Sequence, residues 1–331
     1  MVGARWPDSI PPSPVPALIG ASARNTALGR VSNGLSRVVG RLTDPVERAL
    51  ARPAPDVLAF PPVFIVGAPR TGSTALYQLI ADHFDVGYLT NLHCWFHGMP
   101  SVVERWIADG ARDGVAYESS YGTTEGWLAP SECGAFWYRF FPRRPHYVEH
   151  LTASTSQDLR RVVGRLGDAF GKPVLFKNMN AGLRIRPLTR ALPEAVFVWI
   201  RRDTADAAYS ILQARRALTG SVESWWSIEP PGIEAIRRLP YAAQAVEQVR
   251  GIDRAIADGL TEVPASRQMT VDYEALCADP LAVLAEVAET LAAAGIRTDR
   301  ITPVNPPSVR ASRQTRRAVD IDWQCVVDYA S

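Results

Sequence analysis

An α/β protein is predicted: a parallel β-sheet flanked by helices on both faces, with helical insertions. Short, continuously apolar runs rich in β-branched residues, such as Val63–Val66 and 195–200, suit strands covered on both sides. Segments with helical spacing and clear end signals alternate with these runs. At 331 residues and 47% hydrophobic content, the chain can bury a sizeable core, which excludes wholesale disorder.

The elements follow in chain order. Residues 1–28 are rich in Pro, Ala and Ser and read as a flexible lead-in. Between 33 and 52, Leu35, Val38, Val39, Leu42, Val46 and Leu50 recur at helical spacing, predicting a peripheral helix lying on the main body. A Pro-rich linker ends near Asp56. The chain thus divides into a flexible amino-terminal segment with a peripheral helix, 1–55, and one folded domain, 56–331. Strands are expected at Val63–Val66, 86–89, Val174–Lys177, 195–200 and 268–273. A helix starting near Thr74 follows the first strand, and the insertions fall chiefly between 91 and 170. The last clear helix has Asp279 as N-cap, Pro280 at its first position and Gly295 just past its end. Its Leu281, Leu284, Val287 and Leu291 are expected to face the sheet.

Charge is nearly balanced, 36 basic against 34 acidic residues, so the chain offers no field for general nucleic-acid binding and any anion site is local. The four cysteines, Cys94, Cys133, Cys277 and Cys325, form no CxxC pair and read as reduced thiols. His83, His93 and His97 with Cys94 approach a cluster but match no familiar zinc spacing, so no metal is expected. No run of eighteen apolar residues occurs, so no transmembrane segment is expected. The proline-broken amino terminus lacks a signal-peptide core, making the cytoplasm the default address.

The most informative stretch runs from Val63 to Thr74, VFIVGAPRTGST. Gly67 and Gly72, four residues apart between a strand and a helix, frame a phosphate-binding loop whose backbone N–H groups receive an anion. Ser73 and Thr74 add hydroxyl donors. A nucleotide triphosphatase would carry lysine where Ser73 stands; here the cation is Arg70, inside the loop. That displacement favours a ligand with one 5′-phosphate plus a transferable group over a triphosphate. A second anion site is expected where the strand at 195–200 runs into Arg201, Arg202 and Asp203. An arginine at a strand's carboxyl end lies where ligands bind in open α/β sheets, and its planar fork suits phosphate. Ser210, eight residues after Arg202, can reach the same anion, with Asp203 or Thr204 capping the helix between them. Taken alone, Arg202 reads equally well as a solvated surface charge.

Together these residues resemble the 3′-phosphoadenylyl sulfate (PAPS)-dependent sulfotransferases, in their bacterial branch. The segment 69–74, PRTGST, is similar to the family's 5′-phosphosulfate loop. Arg202 and Ser210 match the spacing of its 3′-phosphate motif, and Lys177 lies twenty-five residues before Arg202, near the interval the family keeps. The resemblance spans roughly 60–290 and implies a P-loop-like sheet with PAPS as co-substrate and no metal. It implies that Arg70, Thr71, Gly72, Ser73 and Thr74 hold the 5′-phosphosulfate, and that Arg202 and Ser210 hold the 3′-phosphate. Arg313, in the basic segment 310–317, is a candidate third ligand, with a solvated tail as the even alternative because the family's glycine signature is absent there.

Sulfuryl transfer is served by cationic stabilisation, here Arg70 and Lys177, and by a general base for the acceptor. The family's histidine position two residues after the lysine holds Met179, so the base comes from elsewhere. Glu132, among Pro130, Phe136 and Trp137, is the first candidate and His93 the second; Glu125 trails both. Each also reads as a hydrogen-bonded structural residue. Trp95, Phe96, Trp127, Phe136, Trp137 and Tyr138 gather where an acceptor pocket is expected, for a small molecule, lipid or glycan, though they serve equally as core. Trp225 and Trp226 are candidates for a lid. The competing readings are an atypical P-loop kinase or NTPase, and a non-catalytic nucleotide-binding scaffold.

Overall fold

Five parallel strands form the sheet, in the order β2-β5-β1-β6-β7. The computed structural model describes residues 57–107, 119–120, 123–124, 126–296 and 320–330, together with helical positions between 38 and 49. In chain order the elements are β1 (Val63–Val66), α1 (Ser73–His83), β2 (Gly87–Tyr88), α2 (Asn91–Trp95) and α3 (Pro100–Trp106). A small antiparallel hairpin, β3 (Ser119–Ser120) and β4 (Thr123–Thr124), precedes α4 (Gly134–Trp137), α5 (Ala153–Phe170) and β5 (Val174–Lys177). A 3₁₀ turn (Met179–Leu183) leads to α6 (Ile185–Ala191), β6 (Val196–Arg201), α7 (Thr204–Thr219), α8 (Ile233–Ile236) and α9 (Tyr241–Leu260). The rest is β7 (Gln268–Asp272), α10 (Tyr273–Ala278), α11 (Pro280–Ala293) and α12 (Ile321–Ala330).

All four residues of β1 are buried, as a central strand covered on both faces requires. Phe64 stacks on Phe176 of β5 and Phe197 of β6, each at 5.3 Å, in the core beneath α5, α7 and α9. Val63 and Ile65 point the other way, into the core with Leu76 and Ile80 of α1 and Leu284, Val287 and Leu291 of α11. Parallel pairing aligns Ile65 with Lys177 and with Val198, and Arg201 with Asp272. The loop after β1, Lys177, Arg202 and Tyr273 therefore open on the same edge of the sheet, where α/β folds bind ligands.

Several expectations shift. The strand expected at 195–200 is Val196–Arg201, and the one at 268–273 ends at Asp272, because Tyr273 opens a helix. The strand at 86–89 shrinks to two residues, since Val86 N–H turns back to the Phe84 carbonyl. In α11, Asp279 caps and Gly295 adopts φ +77° as read, but Leu281 is 60% exposed and Val283 takes the buried position. The final helix is α12, not α11. The insertion between 91 and 170 contains a strand pair besides its helices. Helical positions occur between 38 and 49 as expected, yet Val38, Leu42 and Val46 are exposed. Polar contacts hold that segment instead: buried Glu47 accepts from Ser101 Oγ at 2.6 Å, and Asp44 accepts from Arg139 at 2.5 Å. The lead-in 1–28 lies outside the described residues.

Candidate active site

The loop from Gly67 to Gly72 leaves β1 and enters α1 by two left-handed residues, Arg70 at φ +69° and Gly72 at φ +90°. Only glycine suits the second: a Cβ there would lie 2.3 Å from the Tyr273 ring. Thr71 is fully buried and donates its hydroxyl to the Ala68 carbonyl at 2.8 Å. That hydroxyl is committed to the loop, so Thr71 offers a ligand its backbone N–H alone. Ser73 and Thr74 stand in the first turn of α1, whose amino-terminal N–H groups have no helical partner.

Two hydrogen bonds join the loop to α7 and to the turn before it. Arg70 Nε donates to Ser210 Oγ at 3.0 Å, and Arg202 Nη1 donates to the Arg70 carbonyl at 3.1 Å. Arg202 lies over the Tyr273 ring at 4.6 Å and 3.8 Å from Asp206, with its side chain 6% exposed. Its Nε is buried without a hydrogen-bond partner, an unspent donor that favours an incoming anion. Asp203 caps α7 by accepting from Asp206 N–H at 2.9 Å, which fixes the turn between Arg202 and Ser210. Arg70, Arg202 and Ser210 are thus in contact. Tyr273, read from sequence as a strand residue and not as part of the site, supports both Gly72 and Arg202; its position just past the carboxyl end of β7 was the available signal.

Lys177, the last residue of β5, is buried and forms an ion pair with Glu132. Glu132 reaches it because the preceding segment runs beside the chain after β2: Ser131 N–H donates to Leu89 at 2.8 Å and Asn91 N–H to Ala129 at 3.1 Å. Asn178 fastens the pair by donating to the Glu132 carbonyl at 3.2 Å. The setting differs from the apolar one expected, since Phe136 and Trp137 turn into the core at 0% and 3% exposure. The other aromatics of that region are half-buried: Trp95 and Trp127, 6.3 Å apart, with Phe96 and Tyr138.

His93 is not brought to this cluster. Its ring is fully buried, with Nδ1 bonded to the Thr90 hydroxyl at 2.9 Å and Nε2 3.3 Å from Glu104. It completes a capping box on α2. Trp225 and Trp226 are no free lid either, because Gln248 bonds the carbonyls of Trp226 and Ile228, both at 2.9 Å. Arg313 and Glu125 lie outside the described residues. Among the described residues no group of His, Cys, Asp and Glu is disposed to hold a metal, and no helix is long and apolar enough to cross a membrane.

A family model described as "Sulfotransferase family" matches residues 61–295, covering every residue of the cluster above. The chain belongs to the sulfotransferase family. The fold agrees with solved sulfotransferases. STF1 from Mycobacterium tuberculosis superposes with a TM-score of 0.52 at 17% identity, over 86% of this chain and 80% of that one. STF9 from Mycobacterium avium gives 0.54 at 18% identity, over 82% and 76%. No curated protein sequence matches the chain. Family and fold make this sulfotransferase a transferase whose general chemistry is sulfuryl transfer.

Proposed function

We propose that the protein transfers a sulfuryl group from PAPS to a hydroxyl or amine of a small-molecule, lipid or glycan acceptor. The observation carrying this reading is the junction of the two anion sites, Arg70 to Ser210 and Arg202 to the Arg70 carbonyl. One nucleoside phosphorylated at both ends of its ribose matches such a junction. A triphosphate does not, since Ser73 stands where its lysine would.

In this reading the amides of Gly72, Ser73 and Thr74 with their hydroxyls receive the 5′-phosphosulfate at the start of α1. Arg202 and Ser210 hold the 3′-phosphate, with the unspent Arg202 Nε as an added donor. Arg70 spans both, its backbone in the loop and its guanidinium at Ser210. Arg313 joins as a third ligand. Its nearest described neighbour, Asp320, accepts from Tyr209, the residue beside Ser210, at 2.5 Å. The domain that holds the site is taken as 56–331.

PAPS supplies an activated sulfuryl group on a phosphate leaving oxygen. Lys177 neutralises charge on the sulfuryl oxygens, while the α1 amino terminus stabilises the departing phosphate. Glu132 accepts the acceptor's proton. Its ion pair with Lys177 keeps the carboxylate aimed before the acceptor arrives. His93, with both ring nitrogens facing protein groups, serves the α2 cap. Half-buried Trp95 and Trp127 favour an acceptor with an apolar or aromatic body.

Incubating the protein with sulfur-labelled PAPS and pooled acceptors tests the reading. Label is expected on an acceptor in wild type and lost in Lys177→Ala. Binding of PAPS without transfer to any pool would favour the scaffold reading.

A further inference from the structure

The cysteines that stand 39 positions apart in the sequence, Cys94 and Cys133, meet in the fold. The Cys133 thiol is hydrogen-bonded to that of Cys94. They are carried by chain segments held side by side through Leu92 N–H to the Trp127 carbonyl at 2.9 Å and a bridge between Thr90 and Pro130. Cys133 is 2% exposed, whereas Cys94 is partly open. Cys133 also holds φ +43°, an uncommon conformation for a non-glycine residue, at the amino-terminal cap of α4. It directly follows Glu132, the partner of Lys177.

We infer that Cys94 and Cys133 form a reversible disulfide that withdraws Glu132 from Lys177 and switches transfer off. The oxidant is a peroxide. Its O–O bond breaks as the Cys94 thiolate takes one oxygen, giving a sulfenic acid and, after protonation, one water. The Cys133 sulfur then attacks the Cys94 sulfur and expels the oxygen as a second water, its own proton leaving with it. The two thiols lose two electrons and two hydrogens, and the peroxide is reduced to two waters. Burial pushes the Cys133 thiol up, so the more open Cys94 is the sulfur that meets the oxidant first. A covalent S–S pair is far shorter than a hydrogen-bonded thiol pair, so bonding draws the Cys133 backbone toward α2. Glu132 moves with it, while Lys177 stays fixed at the end of β5. A thiol reductant reverses the bond by exchange.

The effect on transfer rests on Glu132 being the base, so two readouts are kept apart. The full chain is treated with hydrogen peroxide, capped with iodoacetamide and mapped without reduction by peptide mass spectrometry. Transfer from PAPS and binding of adenosine 3′,5′-bisphosphate are measured on the same samples. A Cys94–Cys133 linked peptide is expected, with the transfer rate down about 10²-fold and bisphosphate affinity held. Dithiothreitol should restore the rate, and Cys94→Ser should keep its rate through the same treatment. Absence of the linked peptide overturns the pairing. A linked peptide with an unchanged rate overturns the switch. Should Glu132→Gln transfer normally while oxidation still silences wild type, the base assignment fails and the switch stands.

Discussion

The proposed function gives Arg202 and Glu132 separable roles, one in binding and the other in turnover. Arg202 is nearly buried, lies over Tyr273 and keeps one donor unspent. Arg202→Ala is expected to weaken adenosine 3′,5′-bisphosphate binding by about 10- to 100-fold, read by calorimetry; unchanged affinity would put the 3′-phosphate elsewhere. Glu132→Gln should lower kcat by about 10²–10⁴-fold with that affinity kept; a loss confined to bisphosphate binding would make Glu132 a donor-site residue. The placement of Arg70, Arg202, Ser210 and Lys177 was legible from sequence because each sits at a strand end, in the loop beyond it or on the helix that follows. The Lys177–Glu132 pair was not, since it joins residues 45 positions apart. The fate of His93 also depended on tertiary packing: the sequence left it open between second candidate base and structural residue, and Thr90 and Glu104 enclose it.

Among the elements, α11 separates pattern from packing most clearly. Leu281 and Leu284 both fit a helical apolar stripe, yet Leu281 is 60% exposed and Leu284 only 3%. Leu284→Ala should destabilise the protein by about 2–5 kcal/mol and Leu281→Ala by less than about 0.5 kcal/mol, measured by urea unfolding. Equal costs would mean that α11 sits rotated. The position next to a helix's first proline falls in the opening turn, where the stripe drifts off the sheet and periodicity alone does not choose the face. Strand positions were easier to read, because continuous burial on both sides of a parallel sheet admits few polar residues. The short β2 escaped that rule: at two residues it leans on β5 alone.

For the whole molecule, pH separates groups that burial has shifted in opposite senses. Burial raises the Asp253 carboxyl to about 6, offset in part by Arg201 and by the neighbouring Trp199 indole. The folded state then binds this proton more tightly than the unfolded chain, so a charged Asp253 lowers stability at pH 7. The penalty fades as pH falls through 6 toward the unfolded value. His97 and His146, lowered by burial, act oppositely, costing stability as pH drops below their unfolded value. The comparison of wild type with Asp253→Asn isolates the aspartate. The variant should be the more stable at pH 7, with the gap closing by pH 4. A gap that is constant across this range would contradict the shift.

The account depends on a single adenosine nucleotide bridging the loop after β1 and the β6–α7 turn. The most direct measurement is a thermodynamic cycle: calorimetric binding of adenosine 3′,5′-bisphosphate and of AMP to wild type and to Arg202→Ala. Removing the 3′-phosphate and removing the guanidinium should each cost affinity, and doing both should cost little more than either alone. Fully additive losses, or tighter binding of ATP or GTP than of the bisphosphate, would contradict it.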